Sequence, residues 1–250
     1  MWRRVGIAMF FLSGCTTAME NPPAFQYQEL QTSYFKLASW QKIGNPQQPY
    51  KIYIEGDGYA FRASGTVSSD PTPRGRLLRE IAFGDKHENV VYLARPCQYV
   101  KDKACSPQYW SNARFADEVI RSEYEAVKQI VGDAPLTLVG FSGGAQVAGL
   151  MAVKYDDLNI RKLVTVAGNL DVQTWVEYHR LTPLDLSDDL RHYRRQYTKF
   201  NQIHYIGTQD NIVIPSISEN FIVDPQTIRK INGASHNTGW KDTYEAIRQE

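Results

Sequence analysis

The chain has 250 residues, enough for one large domain with a substantial core. Its 28 Lys and Arg nearly balance its 27 Asp and Glu. No basic face, charge block or acidic tail supports a nucleic-acid-binding or scaffold role.

The N-terminus reads as processing signal rather than fold. Met1-Trp2-Arg3-Arg4 is a short cationic start, and Val5 to Leu12 is an apolar run too short to span a bilayer but adequate for a secretory core. Leu12-Ser13-Gly14-Cys15 resembles a bacterial lipobox. That resemblance implies a signal peptide over 1–15 and a membrane anchor through lipidated Cys15. Thr16 and Thr17 follow with no Asp after the cysteine, which by the usual bacterial sorting pattern favours the outer membrane, facing the periplasm. Residues 16–32 are polar and Pro-bearing and read as a tether. The other two of the three cysteines are Cys97 and Cys105. In an oxidising compartment, with a polar segment between them, they are expected to staple a surface loop. No His or second Cys pair lies near them at metal-ligand spacing.

From residue 33 onward, strand-like runs alternate with helical patterns. Ser33–Trp40, Tyr50–Glu55 and Asn89–Ala94 are predicted strands. Arg74–Phe83 is a predicted helix between the second and third of them. From Ala113 to Val131, Phe115, Val119, Val127 and Ile130 mark one helix face, which Gly132-Asp133-Ala134-Pro135 ends. Leu136–Val139, Lys162–Ala167, Gln202–Ile206 and Ile228–Ile231 are further strands, and a helix begins at Trp240. Strands apolar on both faces, alternating with helices, predict an α/β fold: a mostly parallel central sheet flanked by helices, over 33–250. Residues 172–199 break the rhythm and form either a small cap or a connecting excursion. Trp175 and Tyr178 within it line an acyl pocket or fill a cap core.

Gly140-Phe141-Ser142-Gly143-Gly144 follows a predicted strand and opens a small-residue-rich helical pattern. In that context Gly-x-Ser-x-Gly reads as a nucleophile elbow, with Ser142 on a strained turn above the sheet. A serine hydroxyl needs a base, and the base a carboxylate that fixes its tautomer. The elbow predicts the chain order Ser, acid, His. Of the five histidines, His87 precedes Ser142, His179 and His192 fall in the excursion, and His204 lies inside a strand. His236 alone sits in a late loop after the last strand. Asp210, in the turn that ends the strand Gln202–Ile206, projects where open α/β sheets build their sites. Asp171, after the preceding strand, is the rival, with Asp210 preferred for its Gly-x-x-Asp turn and its spacing to His236. The Gly143 N–H is one expected oxyanion donor.

Gly56-Asp57-Gly58, the elbow, Gly207-Thr208-Gln209-Asp210 and Ser235-His236, in this order, resemble the α/β-hydrolase fold superfamily. The runs YIEGDG, ARPCQY and VAGNLD further resemble bacterial α/β-hydrolase lipoproteins. The resemblance implies Ser142 as nucleophile, His236 as base then acid, and Asp210 as orienting carboxylate. It implies attack on a small-molecule acyl substrate, most simply a carboxylic ester, through an acyl-enzyme with no metal or organic cofactor. A peptidase, an acyltransferase or a non-catalytic envelope lipoprotein are the alternatives. The second oxyanion donor would come from Asp57 or Gly58. Glu55 stands where lipases and esterases often carry His. Arg95 is expected to bind an anionic substrate group or to pair with an acidic neighbour. Tyr109, Trp110 and Arg114 are expected to pack the stapled loop against the long helix.

Overall fold

The computed structural model describes residues 22–250. The signal peptide, Cys15 and the start of the tether lie outside the described residues. The strands are β1 (Gln26–Gln31), β2 (Lys36–Ile43), β3 (Tyr50–Ile54), β4 (Asn89–Leu93), β5 (Leu136–Phe141), β6 (Ile160–Val166), β7 (Gln202–Gly207) and β8 (Ile228–Ile231). They form one eight-stranded sheet in the order β1-β2-β4-β3-β5-β6-β7-β8. β1 and β2 run antiparallel to their neighbours, and every pair from β4 to β8 is parallel. The helices are α1 (Leu77–Phe83), α2 (Asp117–Val131), α3 (Gly143–Lys154), α4 (Val172–His179), α5 (Arg194–Tyr197), α6 (Pro215–Phe221) and α7 (Tyr244–Gln249).

The period of two along each strand sends alternate side chains to opposite faces. Ile52 and Ile54 of β3, with Leu136 and Leu138 of β5, join the cluster that holds Val119 and Val127 of α2 and Leu150 and Met151 of α3. Tyr53, Val139 and Phe141 point the other way, to Leu77, Leu78 and Ile81 of α1 and Ile247 of α7. Both faces of the central sheet are therefore buried, which is why its strands read as continuous apolar runs.

Part of the expected tether is instead ordered sheet. Gln26–Gln31 pair with β2 in the register Gln26↔Gln41 to Gln31↔Lys36. This edge strand is exposed along most of its length, so it carries no apolar run, and polar composition suits it as well as it suits a tether. Thr32 closes the hairpin through Phe35 (N–H to carbonyl, 2.9 Å), which starts β2 three residues later than the predicted strand. Because β2 ends at Ile43 opposite Asn89, the first residue of β4, the start of β1 lies at the N-terminal edge of the parallel strands. The chain thus enters the sheet at the edge opposite the elbow.

The predicted helices begin too early. α1 starts at Leu77 rather than Arg74, and α2 at Asp117 rather than Ala113. In the excursion, Leu190 and Tyr197 are buried, and a Cβ at Gly149 of α3 would meet Leu190 Cδ2 at 2.5 Å. Most of this segment is thus a connection docked on α3, and α4 alone reaches the mouth of the sheet.

Candidate active site

β5 delivers Ser142 to the C-terminal edge of the sheet. Its backbone sits at φ 51°, ψ −121°, a conformation that costs a non-glycine residue roughly 1–3 kcal/mol. Three hydrogen bonds hold it there. The Ser142 N–H donates to the Val166 carbonyl (3.0 Å), and the Ser142 carbonyl accepts from Asn169 N–H (3.0 Å) and Ala145 N–H (3.1 Å). The turn closes because Gly140 and Gly144 lack side chains. A Cβ at Gly140 would lie 2.5 Å from Ala145 Cα, and one at Gly144 would strike the Ile54 carbonyl of β3.

β7 and β8 deliver the other two groups. His236 Nε2 is 3.0 Å from Ser142 Oγ, and its Nδ1 is 2.8 Å from Asp210 Oδ2. The Nδ1–H tautomer satisfies both contacts, since it leaves Nε2 as an acceptor toward the serine. Asp210 Oδ1 accepts the N–H groups of Ile212 (2.8 Å) and Val213 (2.9 Å). The two loops are tied together by Gln209 N–H to the Ala234 carbonyl (2.9 Å), and Trp240 Nε1 donates to the Ser235 carbonyl (2.7 Å). Asp210 and His236 are both buried, and Ser142, His236 and Asp210 form one hydrogen-bonded line.

Asp171 stands elsewhere. Its side chain caps α4, accepting the Thr174 N–H at 3.0 Å. The other histidines are occupied as well. His204 bridges Thr165 (2.9 Å) and Gln202 (3.0 Å) inside the sheet, and burial pushes its pKa down to about 4. His87 meets Asp85, His179 the Ile212 carbonyl, and His192 Asp188.

The loop after β3 packs directly on the elbow, since a Cβ at Gly56 would lie 3.1 Å from Ser142 Cβ. Glu55, in the position expected for a histidine, pins this loop. It accepts the Gly56 N–H (2.9 Å) and the Tyr92 hydroxyl (2.5 Å). Burial raises its pKa, against the pull of those two hydrogen bonds. The Gly56 N–H is thereby used, whereas no acceptor among the described residues takes the N–H of Asp57, Gly58 or Gly143. Gln98 holds the loop from below, donating to the Gly56 carbonyl at 2.9 Å. Gln98 itself lies in the loop closed by the Cys97–Cys105 disulfide, with Cα atoms 5.6 Å apart.

The Asp57 side chain has a role the sequence did not suggest. It lies against Gly143 and accepts Arg114 (2.7 Å) and Arg95 (3.4 Å). Burial alone would raise its carboxyl, but the two arginine charges outweigh that and hold its pKa below the ordinary value. Arg95 also faces Glu123 at 3.6 Å, so of its two expected roles the structure has the acidic pairing. Arg114 does not pack the stapled loop against α2. It lines the cleft over Ser142, as does Trp175. Tyr109 packs edge-on against Phe35, and Trp110 Nε1 donates to the Ser68 carbonyl. Tyr178 is exposed and belongs to neither a pocket wall nor a cap core.

The cleft has a volume of about 650 Å³ and contains Ser142 and His236, within the size range of small-molecule sites. Tyr59, Phe61, Arg74, Ile212 and Val213 line it too. Sequence reasoning missed all five: it placed Arg74 in a helix, and the loops that hold the other four carry no periodic signal. Among the described residues, no three His, Cys, Asp or Glu side chains gather to hold a metal ion.

Compared with protein-family models and with curated protein sequences, the chain matches none. Solved structures do resemble it. Est1E from Butyrivibrio proteoclasticus is 14% identical, covers 89% of this chain and 96% of its own, and superposes with a TM-score of 0.61. An esterase of Pyrococcus furiosus is 15% identical over 90% of this chain and 88% of its own, with a TM-score of 0.60. The fold is the α/β-hydrolase fold. A third structure with this α/β-hydrolase fold, a serine hydrolase without a lid from Xanthomonas campestris, is 14% identical over 91% of this chain and 94% of its own, at a TM-score of 0.54. In the present α/β-hydrolase fold, α4 brings Trp175 to the cleft wall, and the rest of 172–199 is connection.

Proposed function

We propose that the protein is a serine hydrolase that cleaves a small carboxylic ester through an acyl-enzyme. The observation that carries this reading is the line Ser142 Oγ–His236 Nε2 (3.0 Å) and His236 Nδ1–Asp210 Oδ2 (2.8 Å) at the floor of an open cleft. As Ser142 Oγ attacks the ester carbonyl, His236 Nε2 takes its proton. The imidazolium that results is stabilised by the Asp210 carboxylate. Negative charge developing on the carbonyl oxygen is met by the N–H groups of Gly143 and Asp57, held before the reaction begins. His236 then returns the proton to the leaving oxygen. The same groups run the sequence in reverse with water as the nucleophile. Two structural neighbours are esterases by name, and the apolar walls of the cleft suit an acyl chain of modest length.

The test is covalent labelling. A fluorophosphonate should mark the purified protein at Ser142, with no mark on Ser142→Ala. An unlabelled wild-type protein that turns over no ester refutes the reading. The lipobox-like run Leu12–Cys15 supports the companion reading of an envelope protein lipid-anchored at Cys15, in the outer membrane. Palmitate incorporation that survives Cys15→Ala would refute it.

A further inference from the structure

Five acidic, basic or imidazole side chains line the cleft: Glu55, Asp57, Arg74, Arg114 and His236. Four of them are engaged. Arg114 is paired with Asp57, Glu55 with Tyr92 and Gly56, and His236 with Asp210 and Ser142. Arg74 is different. It is exposed at the rim, in the irregular segment before α1. Its guanidinium lies 3.4 Å above the centre of the Tyr59 ring, which also lines the cleft. Among the described residues no carboxylate stands within 4.0 Å of it. Asp70, which feels its charge, turns instead to Thr72, accepting its N–H (3.0 Å) and hydroxyl (2.7 Å). Stacking on an aromatic face fixes the plane of a guanidinium while leaving its N–H fork open. The segment also adjoins the histidine loop, since a Cβ at Gly75 would lie 3.6 Å from Asn237 Oδ1.

We propose that Arg74 is a recognition residue for an anionic group, a carboxylate or phosphate, carried by the substrate beyond its scissile ester. This rests on the hydrolase reading above. A planar, pre-oriented guanidinium at a cleft rim matches such groups bidentately. The other charged lining groups already have partners within the protein, so Arg74 is the cation left to a ligand. The apolar walls take the uncharged part of the substrate, and Arg74 selects the charged end.

The experiment compares two matched ester pairs on the purified protein. 1-Naphthyl hemisuccinate against 1-naphthyl butyrate puts the charge on the acyl half. 3-Carboxyphenyl butyrate against phenyl butyrate puts it on the leaving half. One pair should show a kcat/KM ratio of about tenfold in favour of the anion, the scale of an accessible charge-assisted contact. The gain should lie in KM and shrink in 0.5 M salt. Arg74→Gln should bring that ratio close to one, Arg74→Lys should keep part of it, and Arg76→Gln, whose side chain pairs with Glu80, should keep all of it. Turnover of neutral esters with no anionic preference in either pair overturns the Arg74 proposal and leaves the hydrolase reading standing, as does a preference that survives Arg74→Gln. No turnover of any of the four, with no fluorophosphonate label, overturns both.

Discussion

Replacing Asp210 by Asn separates a catalytic from a structural role for this carboxylate. Asp210 Oδ1 accepts two backbone N–H groups, from Ile212 and Val213. In Asp210→Asn the amide oxygen must stay on those two donors, because the amide NH2 cannot accept from either. The NH2 therefore faces His236 and donates to Nδ1. That flips the imidazole to the Nε2–H tautomer, and Nε2, 3.0 Å from Ser142 Oγ, can no longer take the serine proton. Loss of the correct tautomer in a triad costs about 10⁴ in turnover, which is about 5 kcal/mol of barrier. Stability should change little, within about 1 kcal/mol, because every hydrogen bond keeps a partner. Turnover of a chromogenic ester, read beside thermal unfolding, checks both halves. Asp171→Asn is the control. Asn caps a helix about as well as Asp, so activity and Tm should both hold. An Asp210→Asn enzyme that keeps more than about a tenth of its activity would refute the tautomer argument, as would an Asp171→Asn enzyme that loses as much.

Two further predictions concern stability. Burial lowers the His204 pKa to about 4, below the ordinary value of about 6.5 in an unfolded chain. The unfolded state therefore binds the extra proton between these values. The stability from neutral His204 is full above about pH 6.5 and is lost as pH falls toward 4, by about 3 kcal/mol in all. Tm measured from pH 7 to 4 should fall on this account, and His204→Gln should flatten the fall; parallel curves would sink the assignment. Closing the loop between Cys97 and Cys105, eight residues apart, stabilises by about 2.5 kcal/mol through the unfolded chain. Reduction should lower Tm by about 5–10 °C, and an unchanged Tm with both thiols proven free would contradict that.

Much of the site was legible because its key residues stand at ends of elements. Ser142 follows an apolar strand and precedes a helix, and Asp210 and His236 each follow a strand, so a coarse reading of order was enough to gather them. Asp171 was a fair rival on the same grounds, and only its hydrogen bond to Thr174 marks it as a cap. What stayed hidden depends on tertiary contact. Arg114 looked like packing because nothing local pairs it with Asp57, 57 residues earlier. Arg74 was read as the first residue of a helix, whereas α1 starts at Leu77. β1 escaped notice because an exposed edge strand and a tether ask for the same polar residues.

The point of entry of the chain bears on which molecules the cleft meets. β1 starts at the N-terminal edge of the parallel strands, and Ser142 opens at the other edge. If lipid on Cys15 holds the protein to a bilayer, the described chain still joins the domain at its base, at the end of the sheet away from the Ser142 mouth. An anchor joined at that end leaves the cleft free of the attachment, so solutes can reach Ser142 without passing the tethered side of the domain.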